Sequence, residues 1–246
     1  MSKKTEVAKV QGGALADPRL TQFSDMMDET DVDVSDIIIP KMLTMQGLSE
    51  FVAEDKAKAG QIVGSLDGNL IADKGEQVEI ILFHRFKTWI NFKIVGGKEE
   101  FDSIENFTAQ NANLPTEEGD YKRYQSLNFY CLIAEDLKKE SFLPYVVSFK
   151  STNYKTGRAI ETFRAKMKEF GKPFCFKTMK LGTKQVENDK GKFYINTVEE
   201  GRDTTDQELS KVRHWFSMIK ESNIKVDDSA ERKEKKEADY DADGDY

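Results

Sequence analysis

Between residues 78 and 198 the apolar residues follow two periods, and the helical one appears once before the chain returns to strands. Phe86 to Ile94 alternates: Phe86, Ile90, Phe92 and Ile94 share one face, while Lys87, Trp89, Asn91 and Lys93 share the other. Successive side chains of a strand point to opposite faces, so this spacing predicts a half-buried strand. Leu127 to Ala134 repeats the pattern, with Leu127, Phe129, Cys131 and Ile133 inward and Asn128 and Tyr130 outward. Tyr145, Val147 and Phe149 make a further inward set, and Val78 to His84 reads as a largely apolar run. Ile160, Phe163, Met167 and Phe170 then fall at helical spacing, and Gly171 followed by Pro173 ends that helix. Strand character returns over 174–180 and 192–198, across a turn at Asp189-Lys190-Gly191. Thr205 and Glu208 form a capping box ahead of Leu209, Val212, Phe216 and Ile219, which predicts a C-terminal helix.

Strands, an inner helix, more strands and a terminal helix predict a mainly β fold with two helices. An OB-like Greek-key β-barrel with elaborations fits that order, and an α+β sandwich fits the strand count equally. Turn signals at Gly60, Asp67-Gly68-Asn69 and Lys74-Gly75 imply short β elements before the barrel strands. Residues 96–125, with Gly96-Gly97, Pro115 and Gly119, read as a long loop. The expected organisation is a flexible acidic arm over 1–35, one domain over 36–224, and a disordered acidic tail over 225–246.

Several classes are disfavoured by what the sequence lacks. No apolar run approaches the ~18 residues needed to span a membrane. No apolar stretch follows Lys3 and Lys4, so a secretory signal is not expected and the chain reads as soluble and cytoplasmic. Cys131 and Cys175 sit in apolar runs and read as buried, reduced thiols. With His84 and His214 they offer no zinc spacing, and no metal or cofactor is expected. There is no P-loop, no Gly-x-Ser-x-Gly and no His-Glu-x-x-His, so the expectation is a protein without enzymatic activity. Asp136-Leu137-Lys138 has the (Asp/Glu)-x-Lys spacing of some metal-dependent nucleases, which keeps that class as a rival.

Charge supplies the functional clue. The chain carries a net −7, yet residues 141–194 hold 12 basic and 4 acidic side chains, a local +8. Residues 199–246 hold 9 basic and 15 acidic ones, a local −6. Local charge governs binding to a polyanion, and lysines beside aromatic rings suit an unpaired strand: rings stack on bases while ammonium groups track phosphates. The expected DNA-binding set is therefore Lys87, Trp89, Lys93, Tyr130, Lys192 and Tyr194 on strand faces. From the basic block it adds Lys150, Lys155, Arg158, Arg164, Lys168, Lys177 and Lys180. On this reading Trp89→Ala weakens binding by about 1–3 kcal/mol with little loss of folding. The tail, with Asp239, Asp241, Asp243, Asp245 and terminal Tyr246, is expected to compete with DNA for the basic surface.

A β-barrel carrying Trp89, Tyr130 and Tyr194, a basic block and an acidic tail ending at Tyr246 resembles phage-encoded single-stranded DNA-binding proteins. Ile39-Pro40-Lys41 to Gln46-Gly47 and Lys190-Gly191-Lys192-Phe193-Tyr194 are similar to stretches in phage proteins of this size. The resemblance implies a barrel that binds single-stranded DNA during replication or recombination. It also implies a tail that recruits replication proteins such as a polymerase or helicase. The Gly/Gln-rich linker and closing Pro-Phe of bacterial relatives are missing. A phage virion or scaffolding protein, which also joins charged arms to β domains, is the main alternative.

Overall fold

The computed structural model describes residues 37–139, 142–188, 191–221 and 224–229. Its first strands are β1 (Ile38–Ile39) and β2 (Lys41–Thr44), followed by a one-turn helix α1 (Glu50–Ala53), β3 (Ile62–Gly64) and β4 (Leu70–Ala72). The long strands β5 (Gln77–Val95), β6 (Lys98–Asn106) and β8 (Tyr121–Ile133) come next, with a short β7 (Glu117–Glu118) before β8. Then follow β9 (Tyr145–Phe149), α2 (Tyr154–Glu169), β10 (Lys177–Asn188), β11 (Gly191–Asp203), α3 (Asp206–Glu221) and β12 (Lys225–Val226). The fold is mainly β, with a mixed sheet and three α-helices among the described residues, the one-turn α1 adding to the two expected.

β5 is the spine of this sheet. One edge pairs antiparallel with β8, and the other pairs with β10 near its start and with β6 further along. β8 pairs antiparallel with β9, and β10 with β11 across the turn at Gly191. Val78, Ile80, Leu82, Leu127, Phe129 and Cys131 form the inner core, which Ile160 of α2 closes. The inward sets read from Leu127–Ile133 and Tyr145–Phe149 are thus present. Ile81, Phe83 and Leu132 point the other way and meet Val212 and Trp215 of α3. The strand is therefore covered on both faces over Ile80 to Phe83, which is why those four residues are all apolar rather than alternating. Burial also pushes the Cys131 thiol above its ordinary pKa.

Both helix ends obey local chemistry. At the end of α2, the Lys172 amide donates to Met167 O (3.0 Å) and the Gly171 amide to Lys168 O (2.9 Å). This paired closure needs Gly171 at φ +67°, where a Cβ is unfavourable. At the start of α3, the Thr205 amide donates to Glu208 Oε2 (2.8 Å) and the Glu208 amide to Thr205 Oγ1 (3.3 Å), completing the capping box. Arg202 then grips Glu208 through two guanidinium nitrogens, at 2.6 and 2.9 Å. That grip holds the Glu208 carboxyl down to about 2.

Four expectations are corrected here. The sheet is not a closed barrel: it runs β11-β10-β5-β8-β9-β2-β3-β4, with β2 parallel on the free edge of β9. Where β11 faces β2, side chains span the gap. Gln46 Nε2 donates to Tyr194 O (3.0 Å), its Oε1 accepts from the Tyr194 amide (2.9 Å), and Asn196 Nδ2 donates to Thr44 Oγ1 (2.6 Å). Residues 98–106, expected within a loop, form β6 against β5. Charged Glu99, Glu100, Asp102 and Glu105 mask that strand's pattern, as befits the outer strand of an arm. Strand character begins at Lys177, because 174–176 make a 3-10 turn. Finally, Lys225–Val226, expected to open a disordered tail, pair in parallel with Ile38–Ile39. The arm over 1–35 and the tail beyond 229 lie outside the described residues.

Candidate nucleic-acid interface

The three rings expected to stack on bases are covered, and this is the main correction to the predicted site. A bulge in β5 between Leu82 and His84 shifts the register against β8. Phe83 and His84 consequently both reach the Tyr130 ring, at 6.2 and 5.9 Å between centroids. An extra residue reverses the in-out phase of everything after it. Lys87 and Trp89 are therefore opposite Leu127 and Gln125, on the side that α2 covers. Trp89 is 1% exposed. Its indole nitrogen donates to Asn111 O (3.0 Å), and Phe107 stacks on the ring at 5.7 Å. Asn111 holds that covering segment closed, accepting from the Thr108 amide (2.7 Å) and donating to Asn106 O (2.9 Å).

Tyr130 is on the outer face as expected, but α3 and its neighbours leave it 7% exposed. Burial pushes its phenol up to about 12. Tyr194 is 8% exposed, and its ring lies against Gly60, where a Cβ would come within 2.6 Å of the ring edge. Its backbone is the part gripped by Gln46. None of the three offers an open π-face.

The cations on the strands are largely answered by acids. Lys177 lies 3.3 Å from Glu200 and 3.1 Å from Asp203, and Arg202 pairs with Glu79 and Glu208. Lys180 stands in register between Glu79 and Glu199, and Lys192 opposite Glu187. Lys87 places its ammonium over the Phe107 ring at 4.9 Å, and burial pulls its pKa down. Lys150 is half-buried and held by contacts of its own. Lys93 is exposed opposite Tyr121, which is 37% exposed and carries Arg123 over its ring at 5.7 Å.

Helix α2 differs. Lys155, Arg158, Lys166 and Lys168 are exposed along it, and Lys172 follows its end. None of these five makes an ion pair among the described residues. Arg164 and Lys168 join Lys172, Pro173 and Phe174 around a recess of about 630 Å³. The one acid in its lining, Glu161, is shared between Arg85 (3.1 Å) and Arg164 (3.2 Å). Phe170, immediately before the recess-lining Gly171, is 68% exposed, and Phe176 is 39% exposed. Sequence reasoning placed Phe170 in the helix's buried stripe and left Phe176 out of the site. The signal was the run Phe170-Gly171-Lys172-Pro173-Phe174, where rings, a cation and a helix stop coincide.

Asp136, singled out for its nuclease-like spacing, sits in a 3-10 turn and accepts from Lys139 Nζ (2.5 Å). No described helix is long and apolar enough to cross a membrane. A family model described as Pam3 phage gp34-like protein matches residues 10–229. No curated protein and no solved structure matches the chain.

Proposed function

The chain belongs to the Pam3 phage gp34-like family, and we propose that it binds single-stranded DNA without catalysing a reaction, protecting the strand during phage replication or recombination. The observation that carries this reading is the unpaired cationic face of α2 and its exit, Lys155, Arg158, Lys168 and Lys172, with the exposed ring of Phe170 between the last two in the chain. Phosphates gain from cations that have no partner to give up, and an exposed phenyl offers a base a stacking surface. The expected site therefore moves from Trp89 and Tyr194 to the helix and its recess.

The topology is compatible with an elaborated OB fold. β5, β8 and β9 make a meander, α2 follows, and β10–β11 returns as a hairpin that pairs with β5. β2 to β4 occupy the seam where such a barrel would close. In this proposal the acidic residues from Asp239 to Tyr246 compete for the cationic face and recruit replication proteins when DNA displaces them. The place of action is the infected host cell.

Fluorescence anisotropy with labelled oligothymidine over a range of salt tests the interface. Lys168→Ala with Lys172→Ala should flatten the log–log salt slope by about 0.7 per lost phosphate contact. Phe170→Ala should weaken binding by about 1–3 kcal/mol without changing that slope. Wild-type slopes and affinities in both variants would remove the helix from the interface.

A further inference from the structure

On the opposite side of the sheet from α2, a cavity of about 400 Å³ lies between β5, β8 and the C-terminal segment. That volume falls within the roughly 300–1,000 Å³ of small-molecule sites. Phe86, His84 and Tyr130 supply ring surfaces, while Ile90 and Ile104 supply aliphatic ones. The polar floor is a closed relay: Ser126 Oγ donates to Asn128 Oδ1 (3.0 Å), and Asn128 Nδ2 donates to Thr88 Oγ1 (3.1 Å). Thr88 keeps a hydroxyl proton to offer.

Three further polar groups line the cavity without a side-chain hydrogen bond among the described residues, the Tyr130 phenol, the His84 imidazole and the Asn106 amide. Each can still take a partner that a ligand brings. The only charged residues in the lining, Lys41 and Asp228, are paired with each other at 2.6 Å. The interior is thus electrically quiet and holds no spare cation for a phosphate. Lys220 stands close enough to His84 to disfavour its protonation, adding to the effect of burial. A second cation therefore lies beside the cavity, while the one in its lining, Lys41, is tied to Asp228.

Flat apolar walls, neutral donors and acceptors inside, and a lysine outside describe a site for a nucleobase whose phosphate stays in solvent. We propose that this cavity receives one unstacked base of the bound strand, between the rings of β5/β8 and the aliphatic side chains of Ile219, Ile224 and Val226 from α3 and the C-terminal segment. The proposal rests on the single-strand reading above, and it gives Tyr130 the role of hydrogen-bonding the base instead of stacking in the open.

Ile104, half-buried on β6, permits a filling variant that leaves both main cores intact. Ile104→Trp should lower oligothymidine affinity roughly tenfold while leaving the salt slope unchanged. Tyr130→Phe, which removes only the hydroxyl, should give a smaller loss in the same direction. In NMR titrations, thymidine monophosphate should shift the His84 and Tyr130 ring signals, and deoxyribose phosphate should not. Wild-type affinity in a folded Ile104→Trp protein would overturn the cavity's role and leave the helix interface standing. Should oligothymidine fail to bind the wild-type chain, the single-strand reading falls. The monophosphate titration then decides the cavity alone: ring shifts support it and their absence overturns it.

Discussion

The strands and helix α2 both carry cations but spend them differently. On the sheet, Lys177, Arg202 and Lys122 each lie against a carboxylate, and Lys180 is flanked by two in register. On α2 and just past it, Lys155, Arg158, Lys168 and Lys172 face solvent and make no ion pair among the described residues. The rings divide the same way, since Trp89 and Tyr194 are covered while Phe170 is open. Aromatic and basic residues on a strand therefore say little about binding until their partners are known. What counts is charge and surface that the fold has left unused.

The sharpest way to break this contrast is to remove the buried indole. Trp89→Ala should cost about 3–5 kcal/mol of stability, the usual effect of emptying a large aromatic site. Urea unfolding measures the loss, and the remaining folded protein should bind oligothymidine as before. A near-normal midpoint with lost affinity would return the interface to β5. A middle-sized effect belongs to α3, whose cap serves the fold alone. Thr205→Ala should cost about 1 kcal/mol. Because Glu208 titrates lower in the folded chain than in the unfolded one, its contribution is complete above the ordinary carboxylate range. It is lost as pH falls towards about 2. Glu208→Gln should flatten that part of the stability profile, and an unchanged acid limb would show that the Arg202 contact contributes nothing. The smallest effect comes from the one acid in the recess. Glu161→Gln should tighten oligothymidine binding by about 0.5–1 kcal/mol at low salt, fading as salt rises. Weaker binding would mean that Glu161 orients Arg85 and Arg164 for contact instead of opposing it.

Sequence alone carried the features that depend on near neighbours. The cap at Thr205 and Glu208, the stop at Gly171 and the inward face of Leu127 to Ile133 are all settled within a few residues, and all are present. The in-out phase of β5 was not legible, because Ile80 to Phe83 is apolar on both faces and hides the bulge that reverses it. Nor was the cover over Trp89, which comes from Phe107 and Asn111, 18 and 22 positions further on. Ion pairing is more remote still: Arg202 meets Glu79 across 123 positions. Alternation tells which side of a strand a residue takes, but not what lies on that side.

The join between β2 and β11 has a mechanical meaning. Elsewhere adjoining strands are zipped by a run of backbone bonds, whereas here a glutamine amide and an asparagine amide act as two rivets. Parting the two leaves would break those grips and the Thr183 Oγ1 bond to Gly60 O, but no ladder. The Tyr194 amide should accordingly exchange its hydrogen sooner than amides paired within β10–β11, and Gln46 sets the tempo of that breathing.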